Sequence, residues 1–271
     1  MTLFLILAVL LLFFSFFYYR SVYTVPTLMY HRIASVPHDR NALPKEKFEE
    51  QLRYLSQNGF TCLTMEMAYD VYRMHTKPPK KSVLLTFDDG YVDNYNEALP
   101  LLQKYQMSAV VFPISNWLGK ENKWEAMGKQ TTTTMSAKQL KRWQEAGMEV
   151  GAHTMDHPFL TGCSAEHLLL ECEQSKKHLE KLLATPIHFL CYPYGYFNKA
   201  VQQAAKAAGF KAAFAICNNI PLFSINLYTL PRIPIPAHQS LREFRWKVSR
   251  FWLIFIALRN WEHHVKKWLH R

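Results

Sequence analysis

The sequence predicts an α/β fold in which parallel strands alternate with helices packed outside them. Three observations carry this expectation. Apolar runs of strand length alternate with helical patterns between about residues 25 and 240. Three helical stretches stop at a glycine (Gly59, Gly147, Gly209) and turn at once into an apolar run, where a left-handed residue ends a helix at little cost. Ser136, Ser164 and Asn198 stand where N-caps belong. Repeated strand–helix units fit a barrel or an open sheet, and both gather functional groups at the carboxyl ends of their strands.

The elements follow in chain order. Residues 1–19 are apolar except for Thr2 and Ser15, and at 1.5 Å per residue they reach close to about 30 Å, enough for a hydrocarbon core. No Lys or Arg precedes this run and no A-x-A-like site follows it, while Phe16, Phe17, Tyr18 and Tyr19 resemble an aromatic interface belt before Arg20. The expectation is an uncleaved transmembrane anchor with its linker over residues 1–24. Strands are expected at 26–30, 60–63, 83–87, 109–114, 149–152, 189–192 and 212–216. Helices are expected around 45–58, 65–74, 92–105, 136–146, 164–184 and 198–208, with 116–134 as a loop or insertion. These make one catalytic domain over residues 25–240.

The last segment, residues 241–271, carries +6 of the net charge of +11 and four of the seven tryptophans (Trp246, Trp252, Trp261, Trp268). Phe244, Val248, Phe251, Phe255, Leu258, Val265 and Leu269 fall on one helical stripe. The apolar run 251–258 is too short to span a bilayer. A basic, Trp-rich amphipathic helix is expected to lie in a membrane interface, with docking on the domain core as the alternative. No nucleic-acid-binding motif accompanies the basic residues, so nucleic acid is not expected as a partner. Five widely spaced cysteines without a CxxC pair exclude a disulfide framework and a zinc ribbon.

The chemistry-bearing residues sit at the expected strand ends. Asp88-Asp89-Gly90 closes the strand at 83–87. It reads as a turn or as a pair of functional carboxylates, which burial would make costly without a cation. His153-Thr154-Met155-Asp156-His157-Pro158 follows the strand at 149–152. Two histidines at i and i+4 converge on a metal if the segment turns helically; solvated surface histidines are the alternative. Two histidines and one carboxylate make a facial metal site with open positions, leaving the second carboxylate free as a base. Pro193-Tyr194-Gly195 follows the strand at 189–192, as a packed turn or as a loop offering a backbone N–H to a developing oxyanion. His31 ends the first strand, structural or functional.

This pattern resembles the polysaccharide deacetylases, carbohydrate esterase family 4, with the NodB-homology domain. Thr86-Phe87-Asp88-Asp89-Gly90 matches the family's first motif, His153-Thr154-Met155-Asp156-His157 its second, and Tyr192-Pro193-Tyr194-Gly195 is similar to its third. The resemblance covers about residues 25–236. It implies a distorted (β/α) barrel, a divalent metal and hydrolysis of N-acetyl groups on amino sugars. It implies Asp89, His153 and His157 as metal ligands and Asp88 as the base. Tyr194, with Pro193, would line the acetyl pocket and supply the backbone N–H. The ligand set suits Zn best, with Co, Ni or Fe also admissible. Two features depart from the pattern. Cys191 stands where the third motif commonly has an arginine bracing the catalytic aspartate, and Arg232 is the candidate to replace it. The late L-x-H motif is missing, and His238 does not fit it. The early Leu28-Met29-Tyr30-His31 segment is similar to the branch that deacetylates poly-β-1,6-N-acetylglucosamine, in which an early histidine serves as acid; that implies His31.

The resulting expectation is a membrane-anchored, metal-dependent hydrolase acting on an N-acetylated cell-surface polysaccharide. A second reading keeps the chemistry and changes the substrate to a lipid-linked amino sugar, losing acetyl or formyl, with both chain ends on membrane lipid and the barrel mouth close to it. A non-heme iron oxygenase and a non-catalytic carbohydrate-binding module are the readings of other classes. Arg20, Arg32 and Arg40 follow the apolar run and none precedes it, which puts the domain on the cytoplasmic face by charge, whereas the family resemblance implies an extracytoplasmic one.

Overall fold

Strand–helix alternation becomes parallel pairing throughout the main sheet. A computed structural model describes residues 2–123, 132–217 and 226–258, without the side chains at 2, 3 and 6. The strands are β1 (Thr27–Tyr30), β2 (Arg32–Ile33), β3 (Ala42–Leu43), β4 (Thr61–Cys62), β5 (Ser82–Asp89), β6 (Val110–Pro113), β7 (Glu149–Val150), β8 (Phe189–Cys191), β9 (Ala212–Ile216) and β10 (Leu230–Pro234). The sheet runs β7-β6-β5-β1-β10-β9-β8, β4 pairs with β5, and β2–β3 is a separate pair. A parallel bridge between Ala152 and Leu190 joins the two ends, so the sheet curls into the distorted barrel expected.

The expected helices form as α2 (Lys45–Gln57), α3 (Met65–Arg73), α5 (Ala137–Glu145), α6 (Ala165–Leu183) and α7 (Lys199–Ala207). Ser136, Ser164 and Asn198 each accept a backbone N–H as N-caps, Ser136 within a full capping box. The stretch expected as one helix at 92–105 divides into a π-turn, Asn94–Ala98, and α4 (Leu99–Lys104). Pro100 lies in the first turn of α4, where its missing N–H is harmless.

Alternation along the strands sorts side chains to two faces. Val83, Leu85 and Phe87 of β5 join the large core under the helices, whereas Leu84 joins the barrel lumen with Val110, Phe112, Phe189, Phe214 and Leu230. By the same parity Thr86 and Asp88 face the lumen from β5, Cys191 from β8 and Arg232 from β10.

Two stretches depart from the leading expectation. Arg232 lies on a strand outside the expected set, β10, paired to β1 and β9. Pro231 and Pro234 argue against a strand in sequence, yet the flanking registers Leu28↔Ile233 and Leu230↔Phe214 hold it. In the described part of the C-terminal stripe the alternative expectation, docking on the domain core, is seen for several residues. α8 (Leu241–Lys247) starts at the Ser240 cap, and Phe244, Val248, Trp252 and Leu253 are buried in the domain core. Trp246, Phe251 and Leu258 stay exposed, and the expected positions from 259 onward, Trp261, Val265, Trp268 and Leu269 among them, lie outside the described residues.

The N-terminal run forms α1 (Thr2–Val22), 21 residues long. Among the described residues no helix is long and apolar enough to cross a membrane, so the expected transmembrane helix is without support. The base of α1 is tied to the domain: Phe17 and Ser21 are buried, the Leu253 N–H donates to Ser21 Oγ at 3.3 Å, and Tyr18 packs on Phe251. Its outer part is bare, with Phe4 80% exposed and Leu5, Leu7, Val9, Leu11 and Leu12 also open.

Candidate active site

The carboxyl ends of β5, β7 and β8 converge, and with them the residues singled out in the sequence. Asp88 closes the lumenal face of β5. At Asp89 the backbone turns left-handed (φ 66°), which swings its carboxylate out of strand alternation toward the histidines. His153 and His157 each bring Nε2 to 3.5 Å from Asp89 Oδ1. Thr154, His157 and Tyr194 also hold positive φ (64°, 60° and 58°). Such conformations cost about 1–3 kcal/mol each and persist where the surroundings impose them.

The surroundings are identifiable. Glu171, buried on α6, accepts the backbone N–H of Met155 at 2.8 Å and of Asp156 at 3.0 Å. Thr154 Oγ1 accepts the His157 N–H, and the Ser115 and Asn116 N–H groups donate to the carbonyls of Thr154 and Met155. The histidine loop is thus fixed from both sides. Nothing in the sequence marks Glu171 as other than a helix-surface acid.

His153 Nδ1 donates to the Cys191 carbonyl at 2.9 Å, which leaves Nε2 directed at Asp89. Burial pushes His157 down to about 3, helped by the charge of His153, so its ring is neutral and keeps a lone pair. Burial opposes protonation of His153 as well, yet Cys191 and Asp89 hold it well above its ordinary value; a bound cation would take the place of that proton. Burial would raise Asp89, but the neighbouring histidines outweigh it and keep the carboxylate ionised. Asp89 Oδ1 is buried and has no hydrogen-bond partner among the described residues. One ligand atom from each of Asp89, His153 and His157 lies within 4.8 Å of the others. Two neutral-capable imidazoles, one ionised carboxylate and an orphaned buried oxygen fit a divalent cation with positions left open. A second group, Asp88, His153 and Cys191, satisfies the same spacing. It fits less well, because Arg232 already occupies Asp88 and Cys191.

Asp88 is held as a separate unit. Arg232, fully buried, donates Nη1 to Oδ1 at 2.5 Å and Nη2 to Oδ2 at 2.8 Å, and Nη2 also lies 2.6 Å from Cys191 Sγ. Thr86 Oγ1 takes a further contact from Nη1 at 3.3 Å. Burial pushes the Asp88 carboxyl up, but Arg232 and then His153 outweigh it and hold it below its ordinary value. Asp88 is therefore an ionised, oriented carboxylate beside the cation site. Arg232, the candidate to replace the motif arginine, contacts Asp88 and is fully buried, so it braces the carboxylate and does not line the open site as a substrate or oxyanion residue.

Tyr194 lies in a tight turn over Pro193–Gly195, with Pro193 buried beneath it, and its ring stands 4.5 Å from the ring of His157. His31 directly follows β1, half-buried and within electrostatic range of Asp88, Asp89 and His157. Its carbonyl accepts Asn94 Nδ2 at 2.6 Å, and Asp93 holds the next residues through the Ile33 N–H and Arg32 Nε. The structure thus brings together His31, Asp88, Asp89, His153, His157, Pro193 and Tyr194. It adds Cys191, Glu171 and Asn94, which position them.

Comparison with known proteins gives a consistent result. The polysaccharide deacetylase family model matches residues 75–213. A Bacillus subtilis protein named as a polysaccharide deacetylase is 31% identical over 80% of this chain and 73% of its own length. The poly-β-1,6-N-acetyl-D-glucosamine N-deacetylase of Staphylococcus aureus is 30% identical over 72% of this chain and 68% of its own. Among solved structures, a Streptococcus pyogenes deacetylase in complex with acetate superposes with a TM-score of 0.73 at 27% identity, covering 83% of this chain and 98% of that one. IcaB from Ammonifex degensii gives 0.69 at 26% identity, over 84% and 95%. The oxygenase and non-catalytic readings lose their support here. A carboxylate pair and two histidines on converging strand ends, in a chain matched over most of its length, make this protein an N-deacetylase belonging to the polysaccharide deacetylase family.

Proposed function

We propose that the chain is a metal-dependent hydrolase that removes N-acetyl groups from N-acetylhexosamine units of a cell-surface polysaccharide, with β-1,6-linked poly-N-acetylglucosamine the first substrate to try. The observation that carries this reading is the Arg232-braced Asp88 standing beside the Asp89, His153 and His157 set. Those three would hold the cation, Zn by donor chemistry, and it would supply Lewis acidity toward the acetyl carbonyl. Asp88 takes the proton of the attacking water. The Tyr194 backbone N–H donates to the carbonyl oxygen as charge develops there. His31 delivers a proton to the departing sugar amine, so acetate and a free amine result.

The chain is also proposed to be held at a membrane by α1, with the exposed Phe4, Leu5, Leu7, Val9, Leu11 and Leu12 as the inserted part. The base of α1 lines one cavity with Pro26, Lys81 and Ser82, at the end where β1 and β5 begin, whereas the site lies where β5 ends. Eight residues of strand at about 3.3 Å each separate them by about 25 Å. This polarity favours a polymer over a lipid-linked headgroup, because the mouth points away from the anchored end. On this reading two membrane-seeking ends do not bring the mouth to the lipid. The side of the membrane is read by a C-terminal reporter active in one compartment only.

The test is acetate release by the full chain from β-1,6-linked N-acetylglucosamine polymer and from a lipid-linked N-acetylhexosamine, with and without chelator. Release from the polymer, abolished by chelator and restored by Zn, supports the reading. Asp88→Asn should retain metal by elemental analysis and lose more than 99% of turnover, on the order of the 10²–10⁴-fold that a general base contributes. Full activity in that variant ends the assignment of the base.

A further inference from the structure

Two exposed aromatic rings beside the site are explained by neither the core nor the metal set. Phe159 is 57% exposed and Tyr196 51% exposed. Phe159 lies flat on Tyr194, ring centroids 3.9 Å apart at 7°, and Tyr194 in turn packs on the ring of His157. Tyr196 flanks Phe159 at 6.5 Å and 34°. The rings step outward from the metal set to the surface, and the outermost face is open.

Both are fixed by the turns that carry them. Phe159 sits between Pro158 and the buried Leu160, and its carbonyl accepts the Gly162 N–H at 3.0 Å. Tyr196 closes the Pro193–Gly195 turn through its N–H to the Pro193 carbonyl. Folding gains little from leaving two such rings in water on rigid turns, and single exposed aromatics need no explanation, but two neighbouring ones rimming the site, one of them stacked on Tyr194, do. An aromatic face carries negative quadrupole charge, and a β-linked hexosamine offers an apolar face of C–H bonds to it.

We infer that Phe159 and Tyr196 form a sugar-stacking subsite for the hexosamine unit next to the one being deacetylated. The site then reads at least two linked units, and a single N-acetylated sugar forfeits part of the binding energy. This deepens the proposed function and rests on it, since that reading supplies the acetylated unit at the centre.

The experiment compares wild type, Phe159→Ala, Tyr196→Ala and Phe159→Trp on two probes: methyl N-acetyl-β-glucosaminide and its β-1,6-linked tetramer. Melting temperature and metal content establish that each variant is folded and loaded. The ratio of kcat/KM for tetramer over single unit should fall about tenfold in each alanine variant, through KM, and return in Phe159→Trp. An unchanged ratio, or equal loss on both probes, overturns the subsite. If wild type releases acetate from neither probe, the deacetylase reading of substrate fails separately, and calorimetric titration with the tetramer decides the subsite. Binding weakened about tenfold in Phe159→Ala supports it; equal binding, or none in wild type, overturns it.

Discussion

Replacing Arg232 by Met removes the cation from a fully buried pair while keeping most of the side-chain volume. Two hydrogen bonds at 2.5 and 2.8 Å are lost and Asp88 is left charged in the lumen. Removing one partner of such a pair costs about 3–5 kcal/mol at neutral pH. At about 2–4 °C per kcal/mol for a domain of this size, the melting temperature should fall by about 10 °C. The sign of the pH dependence changes too. In wild type the folded-state pKa of Asp88 lies below its ordinary value, so this group stabilises above the unfolded pKa and loses its contribution as pH falls. Without Arg232 the burial that raises it prevails. Asp88 then stabilises the fold most when protonated, and stability from this group falls as pH rises. The acid limb of kcat/KM moves upward for the same reason, because the base must be ionised to act. The assays are thermal unfolding and kcat/KM across pH 4–9, on protein of verified metal content. The double variant Arg232→Met, Cys191→Arg offers a guanidinium from the opposite strand and should return part of the low acid limb. An acid limb unmoved in Arg232→Met refutes the bracing role, whatever happens to stability.

Two further expectations concern the frame of the site. Burial pushes Glu149 up to about 7, with Glu66 adding to the shift and the Met65 N–H opposing it. A raised carboxyl stabilises when protonated, so stability falls as pH rises from about 4.5 through 7, by at most about 3 kcal/mol. Glu149→Gln should flatten that slope in melts between pH 5 and 8, and an unaltered slope assigns it elsewhere. Gly151→Ala would set a Cβ 2.2 and 2.5 Å from ring carbons of Phe112 and 3.1 Å from the Phe189 carbonyl. Overpacking of this kind costs about 1–3 kcal/mol. Because residue 151 lies between β7 and His153, the variant should also retain less metal in elemental analysis.

What the sequence made legible was local. Periodicity and glycine stops located seven of the strands, and short-range spacing delivered Asp88-Asp89 and His153/His157 because each pair sits on one turn. Contacts across long stretches of chain were not legible. Arg232 lies 144 residues from Asp88, inside a Pro-x-x-Pro stretch that argues against a strand. Glu171 resembles any helical acid until its carboxylate is seen under the Met155 and Asp156 amides. The C-terminal stripe carried the amphipathic signal of an interfacial helix, and the same signal serves a helix that docks Phe244 against Tyr54. Hydrophobic periodicity says that a face is buried and is silent on what buries it.

The arginine that the resemblance places beside Asp88, the proposed base, is absent at position 191, yet Asp88 keeps a guanidinium. Barrel geometry explains how. β8 and β10 are not neighbours, being separated by β9, but lumenal positions of a curled sheet point at one another across its interior. Cys191 and Arg232 are both lumenal, and both reach Asp88: the thiol at 3.7 Å from each oxygen, the guanidinium in direct contact. A small side chain at 191 leaves the room that the Arg232 head group fills, with Nη2 against Sγ. An arginine at 191 would contend with Arg232 for the same space and place two cations on one carboxylate. The two positions are therefore coupled in this chain: Cys191→Arg is expected to lower the melting temperature while Arg232 is in place, and to be tolerated better in the Arg232→Met background. The departure from the motif changes the strand that supplies the brace and leaves the brace itself in place.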